Sequence, residues 1–174
     1  MKKFFESKFL SLILLVLYIW ILTWIIIAKM NWDLLKNVNI DWLENPKLLL
    51  HPGVTWQTIN LTPYIYIDYI EVLLNILFFI PLGLYIYLIR NKNNIYLTII
   101  LAFLLSLTYE FIQYIFIIGS PDITDIINNT LGGFFGSILV VILRLIFRSK
   151  TRLYINIILF GCSIYILYKI FYLS

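Results

Sequence analysis

The chain has 174 residues, of which 62% are hydrophobic and only 13% are charged, with a net charge of +4. A water-soluble domain of this size could not bury so much apolar surface, so the composition is typical of a membrane protein. The positive charge does not indicate nucleic-acid binding, because the basic residues have a topological explanation. The single cysteine, Cys162, excludes an intrachain disulfide and a metal site built on cysteine pairs.

Five stretches of the sequence are apolar over the roughly 20 residues that a helix needs to cross a bilayer. They lie at about 9–28, 70–89, 95–118, 124–147 and 153–172. The first ends without a small-residue cleavage signature, so we expect an uncleaved helix rather than a signal peptide. The sequence therefore predicts an all-α, polytopic membrane helix bundle that forms one domain over residues 1–174.

The lysine and arginine residues near the helix ends predict the orientation. With the N-terminus in the cytoplasm, nine of the 13 basic residues lie on the inner side, and both short inner loops agree. We therefore expect a cytoplasmic N-terminus and a C-terminus outside. Most acidic residues then lie toward the outer side, so any chemistry that needs carboxylates is expected there.

The only long connection, residues 29–69, predicts a short amphipathic helix at the outer interface over residues 31–50. Trp32, Leu35, Val38 and Trp42 recur there at helical spacing. The only histidine, His51, follows. A lone histidine offers no ligand pair for a metal, so we expect a solvated loop side chain.

Polar residues recur on one face of the second, third and fourth predicted helices. The candidate site residues are Glu71, Asn75, Glu110, Gln113, Asp122, Asp125, Asn128 and Asn129. At about 1.5 Å of rise per residue, all of them fall in the outer half of the bilayer. Three helices that place polar faces at one depth predict a shared pocket that opens toward the outside.

Glu110 is the residue that is hardest to explain by packing. A charge at the centre of a membrane helix costs about 2.5–3.5 kcal/mol on the insertion scale. No basic residue lies in the outer half of the second to fourth helices. We therefore expect the Glu110 carboxyl group to be protonated, to be hydrogen-bonded to Gln113 or Asn75, or to face a metal ion or a cationic ligand.

For the other polar residues a structural role competes with a functional one. Asp122 and Asp125 suit the start of a helix, where unpaired N–H groups and the helix dipole favour carboxylates. The amide side chains could hold helices together through hydrogen bonds. Gly132 and Gly136 form a small-xxx-small pair, which is typical of a close helix–helix contact.

Four motifs occur in a fixed order along the chain. They are Asn60-Leu61-Thr62-Pro63-Tyr64, Asn75 to Gly83, Glu110-Phe111-Ile112-Gln113 and Asp122 to Gly133. Over about residues 55–145 these motifs resemble the signature of the VanZ-like family. The resemblance implies a multi-pass protein of the bacterial cytoplasmic membrane, a cell-envelope context and an association with resistance to the glycopeptide teicoplanin. It implies no reaction.

Three functions remain open. A binding protein would hold a lipid-linked cell-wall precursor, or an amphiphile such as the lipid tail of a glycopeptide, in the outer-leaflet pocket, with membrane lipids as its other partners. A membrane enzyme would use Glu110 as general acid or base, with Asp125 as a second candidate catalytic residue and with Asp122 and Asp125 holding a hard cation. A small proton-coupled transporter would use Glu110 as proton carrier. We favour binding, because the enzyme lacks an evident nucleophile. The sequence does not identify a cofactor, and whether a metal is bound is left open.

Overall fold

The computed structural model describes residues 2–30, 59–64, 68–90, 94–116 and 121–173, and within these ranges the chain is helical apart from short connections. A single turn, Lys2–Phe5, precedes five long helices. These are α1 (Lys8–Met30), α2 (Tyr69–Ile89), α3 (Ile95–Phe116), α4 (Ile123–Phe147) and α5 (Thr151–Leu173). Their bounds closely follow the five predicted stretches. The predicted interfacial helix at 31–50 and His51 lie outside the described residues.

Four stretches of the described chain are long and apolar enough to cross a membrane. The last of them, Ile123–Lys169, is 47 residues long and contains most of α4 and α5. The 3₁₀ turn Arg148–Lys150 separates these two helices, and Arg148 has a positive φ of 49°. The all-α membrane class is therefore confirmed, whereas five separate crossings and the orientation of the termini stay predictions.

The most extensive helix contact joins α2 to α4 through glycines. Gly83 lies against Gly133, and Gly132 lies against the carbonyl oxygen of Ile76. At both places a Cβ atom would enter the backbone of the neighbouring helix. Small residues allow this close approach. In a membrane, burying apolar side chains gains little free energy, so dispersion contacts between the close backbones hold the helices together. The packing role predicted for Gly132 and Gly136 is confirmed, since Gly136 also lies against the α2 backbone.

Hydrogen bonds attach α1 to its neighbours on both sides. The hydroxyl group of Tyr18 donates to the carbonyl oxygen of Phe78 in α2 at 2.7 Å. Near the start of α1, the fully buried Ser11 donates to Oδ1 of the fully buried Asn156 in α5 at 3.0 Å. The amide nitrogen of Asn156 donates to the carbonyl oxygen of Phe5 at 2.8 Å. These contacts fix the end of the bundle where α1 begins. We call the opposite end, where α2 and α4 begin, the cavity end.

Replacing Gly83 by alanine should destabilise the bundle, because the added methyl group overlaps the carbonyl group of Gly133. Overpacking of this kind costs about 1–3 kcal/mol. The measurement is the thermal unfolding midpoint of the purified protein in detergent. Gly161→Ala is the matched control, since nothing lies within 4 Å of its Cβ position. Equal midpoints for the two variants would contradict the close-packing role.

Candidate functional site

A polar cavity of about 190 Å³ lies at the cavity end, among α1, α2, α3 and α4. Its lining residues are Ile26, Glu71, Asn75, Tyr109, Glu110, Gln113, Asp125 and Asn129. Six of the eight candidate site residues are therefore brought together around one space. The geometry agrees with the pocket expected from the three polar helix faces. What these residues bind or catalyse stays a prediction.

Helix α2 contributes Glu71 and Asn75, and its start determines where they lie. Asp68 is the N-cap: its Oδ1 accepts hydrogen bonds from the backbone N–H groups of Ile70 at 2.9 Å and Glu71 at 3.3 Å. Asn75 lies one turn further in, is 9% exposed and donates from Nδ2 to Oδ1 of Asp125 in α4 at 2.5 Å. This bond between helices fixes the Asp125 carboxyl group in the cavity wall.

Glu110 comes from α3 and is 5% exposed. Its Oε2 accepts a hydrogen bond from the backbone N–H of Asp122 at 2.9 Å. Of the three alternatives expected for Glu110, the hydrogen bond to Gln113 or Asn75 is not found within the described chain, where Asn75 donates to Asp125 instead. The observed donor belongs to the start of α4, where backbone N–H groups and the helix dipole favour a carboxylate.

Two further amides reach the cavity, and their bonding differs. Asn129 is 5% exposed and donates from Nδ2 to the hydroxyl oxygen of Ser106 at 2.9 Å. Gln113 is 6% exposed, and no residue in the described ranges bonds to its side chain. The Gln113 amide group, which carries two N–H donors and an acceptor oxygen, therefore lies in the cavity wall.

Asp122 and Asn128 do not line the polar cavity. Asp122 is the N-cap of α4: its Oδ1 accepts from the N–H of Thr124 at 2.7 Å, and its Oδ2 accepts from Nδ2 of Asn60 at 2.9 Å. Asn128 is buried, and its Oδ1 accepts a hydrogen bond from the hydroxyl group of Tyr64 at 2.9 Å. The helix-start role therefore accounts for Asp122, whereas Asp125 faces the cavity.

The cation site suggested for Asp122 and Asp125 finds no support in the geometry. The Asp122 carboxylate accepts bonds from the start of α4 and from Asn60, while that of Asp125 accepts from Asn75 in α2. Within the described ranges, no three side chains of the types His, Cys, Asp and Glu come together so that they could hold a metal ion.

Residues 59–64, which we call the strap, cross the start of α4. The N–H of Asn60 donates to the carbonyl oxygen of Pro121 at 2.9 Å, and the N–H of Ile123 donates to the carbonyl oxygen of Asn60 at 3.1 Å. Asn60 and Asp122 thereby form an isolated parallel β-bridge. The sequence pointed to the strap only through the first family motif, and no site role was predicted for it.

A second, apolar cavity of about 470 Å³ lies among α3, α4 and the strap. Its wall includes Leu61, Phe103, Leu107 and Phe111. Glu110 borders this cavity as well as the polar one. The buried carboxyl group therefore lies where a polar space and an apolar space meet.

Helices of membrane-spanning length around a polar cavity define an integral membrane protein of the all-α class. Residues 14–144 match the VanZ/LLP1 family. The chain is 34% identical over 131 residues to Protein VanZ of Enterococcus faecium, a match that covers 75% of this chain and 73% of that protein. The chain therefore belongs to the VanZ family. No solved structure matches it significantly. All residues that line the polar cavity fall within the matched range.

Replacing Tyr64 by phenylalanine should destabilise the protein by about 1–2 kcal/mol, because it leaves the buried carbonyl oxygen of Asn128 without its donor. The thermal unfolding midpoint in detergent measures this loss. Tyr69→Phe is the control, since Tyr69 is 78% exposed and its hydroxyl group makes no hydrogen bond within the described chain. If both variants unfold at the wild-type temperature, the strap does not support α4.

Proposed function

We propose that this VanZ-family membrane protein binds an amphiphile at the polar cavity and thereby protects a bacterial cell against teicoplanin-type glycopeptides. The observation that carries the proposal is that Glu71, Glu110 and Asp125 border one cavity, together with the amide group of Gln113. Ionisable groups within membrane helices are costly and usually serve a ligand or a transported species.

The size of the polar cavity supports binding of a headgroup rather than of a whole antibiotic. Pockets for drug-sized ligands measure about 300–1,000 Å³. The polar cavity, at about 190 Å³, is smaller than that range. It suits the polar end of a membrane amphiphile whose remainder lies outside it. Protection would then come from sequestration of the amphiphile or from altered exposure of the antibiotic's target.

The enzyme alternative gains less from the geometry. Glu110 and Asp125 could act as acid and base, but the described lining contains no serine, cysteine or histidine that could serve as nucleophile. The lining also includes Tyr109, but its hydroxyl group already shares a hydrogen bond of 2.8 Å with Thr23. A proton-carrier role would require Glu110 to face the two sides of the membrane in turn, whereas the start of α4 holds it at the cavity end.

We also propose five membrane crossings with the N-terminus in the cytoplasm, so that the cavity lies in the outer leaflet. The turn between α4 and α5 supports this arrangement, because it separates two helices of 25 and 23 residues. Each is longer than the roughly 20 residues of one crossing. Arg144, Arg148 and Lys150 lie at that turn, as expected for a cytoplasmic loop.

Alkaline phosphatase, which is active only outside the cytoplasm, tests this topology. A fusion after Ser174 should be active and a fusion after Lys150 inactive, because one crossing lies between these points. The measurement is enzyme activity per amount of fusion protein. Equal activities at the two points would contradict a crossing by α5, and the reverse pattern would contradict the orientation.

Glu110→Gln and Asp125→Asn should each remove most of the teicoplanin protection, because each replaces a cavity carboxyl group by an amide of the same shape. The measurement is the minimal inhibitory concentration of teicoplanin for a susceptible host that expresses each variant at the wild-type level. Glu6→Gln is the control, since Glu6 does not line the cavity. Full protection by both cavity variants would overturn the proposed function.

A further inference from the structure

The apolar cavity opens to the side of the bundle rather than into its core. Phe103, Leu107 and Phe111 of α3 are 42%, 43% and 61% exposed, and Leu61 of the strap is 71% exposed. Around a membrane helix, side chains exposed in this way face lipid hydrocarbon. An aliphatic chain can therefore enter this cavity directly from the bilayer.

Among the described residues that line the apolar cavity, only Glu110 and Asp122 carry carboxyl groups. Both oxygens of Asp122 already accept hydrogen bonds, from Thr124 and Asn60. Within the described chain Glu110 accepts one bond, through Oε2, and it also borders the polar cavity. A molecule with a polar end and an apolar chain can therefore contact both cavities at Glu110.

The charge of the polar cavity discriminates between kinds of headgroup. Three of its lining residues, Glu71, Glu110 and Asp125, carry carboxyl groups, and no lysine or arginine is among the described lining. In a site of low dielectric constant, a phosphate beside ionised carboxylates is repelled more strongly than in water, whereas a cation is attracted. The Gln113 amide group, which lines the same cavity, adds an acceptor oxygen for an N–H donor.

We infer that the ligand class is an amphiphile with a cationic amine headgroup and an aliphatic chain. The amine lies in the polar cavity against Glu110 and Gln113, and the chain lies in the apolar cavity beside Leu107. This assignment rests on the proposed function and names its ligand chemistry. The chain gains little free energy by leaving lipid for the cavity, so the apolar cavity guides the molecule and the amine supplies the affinity.

Dodecylamine and dodecyl phosphate are the probes, because they share one chain and differ in the sign of the headgroup. The protein in phosphatidylcholine nanodiscs is titrated with each probe, and native mass spectrometry counts the bound molecules. Dodecylamine should bind at least about tenfold more tightly than dodecyl phosphate. Equal affinities, or tighter binding of the phosphate, would overturn the amine assignment.

Substitutions in α3 and α4 test the placement of the chain. Leu107→Trp fills the apolar cavity, so a long chain can no longer lie there while the amine contacts Glu110. Dodecylamine binding should therefore weaken by about tenfold, without a change in the binding of butylamine. Leu104→Trp is the matched control, because Leu104 is 49% exposed on the same helix and does not line the cavity. Ile126→Phe fills the cavity from α4 and serves if Leu107→Trp fails to fold. Dodecylamine affinity that matches the Leu104→Trp control would overturn the placement.

The two proposals fail in different ways. If cells with Leu107→Trp keep teicoplanin protection although the purified variant no longer binds dodecylamine, the ligand assignment is wrong and the proposed function stands. If the Glu110→Gln and Asp125→Asn variants keep protection, the proposed function itself is wrong.

Discussion

The backbone contact between α2 and α4 is the constraint on which the site depends. Packed helices are ordinarily about 8–10 Å apart, a distance that their side chains set. Glycines at 83, 132, 133 and 136 remove those side chains, so the two backbones touch. About two helical turns from these glycines toward the cavity end, the same approach lets the short side chain of Asn75 reach Asp125. The glycines contribute no side chain to the cavity, yet they set the distance between two of the helices that form its wall.

The buried carboxyl group of Glu110 depends on a main-chain donor. The N–H of Asp122 is one of the backbone groups that a helix start leaves without an intrahelical acceptor. Bonding to Glu110 satisfies that donor and at the same time positions the carboxyl group. The strap contributes indirectly, because Asn60 pairs with both the backbone and the side chain of Asp122. The start of α4 is thus held from two sides, by α3 and by the strap.

Hydropathy and periodicity predict much of this arrangement because both depend on local sequence. They give the five long helices, the small-residue contact of α4 and the convergence of three polar faces. They do not give the strap, which reaches α4 from more than 50 residues away along the chain. They also misplace Asn128, which points about 100° round the helix from Asn129. The direction of Asp122 does not follow the helical period, because this residue precedes the first turn.

The partner of Glu110 could not be predicted from side-chain patterns, because its donor is a main-chain N–H group, which every residue except proline carries. The hydropathic span Ile123–Lys169 contains two of the predicted stretches, 124–147 and 153–172, and the turn Arg148–Lys150 lies between the two helices that they form.

Helix α5 stands apart from this arrangement. It packs mainly against α1, where Asn156 meets Ser11, and it supplies none of the described residues around either cavity. The match to the VanZ family ends at residue 144, before this helix begins. Helices α1 to α4 and the strap therefore supply all the described residues around both cavities. Any effect of α5 on the cavities must pass through the helices that it contacts, for example through the buried hydrogen bond between Asn156 and Ser11.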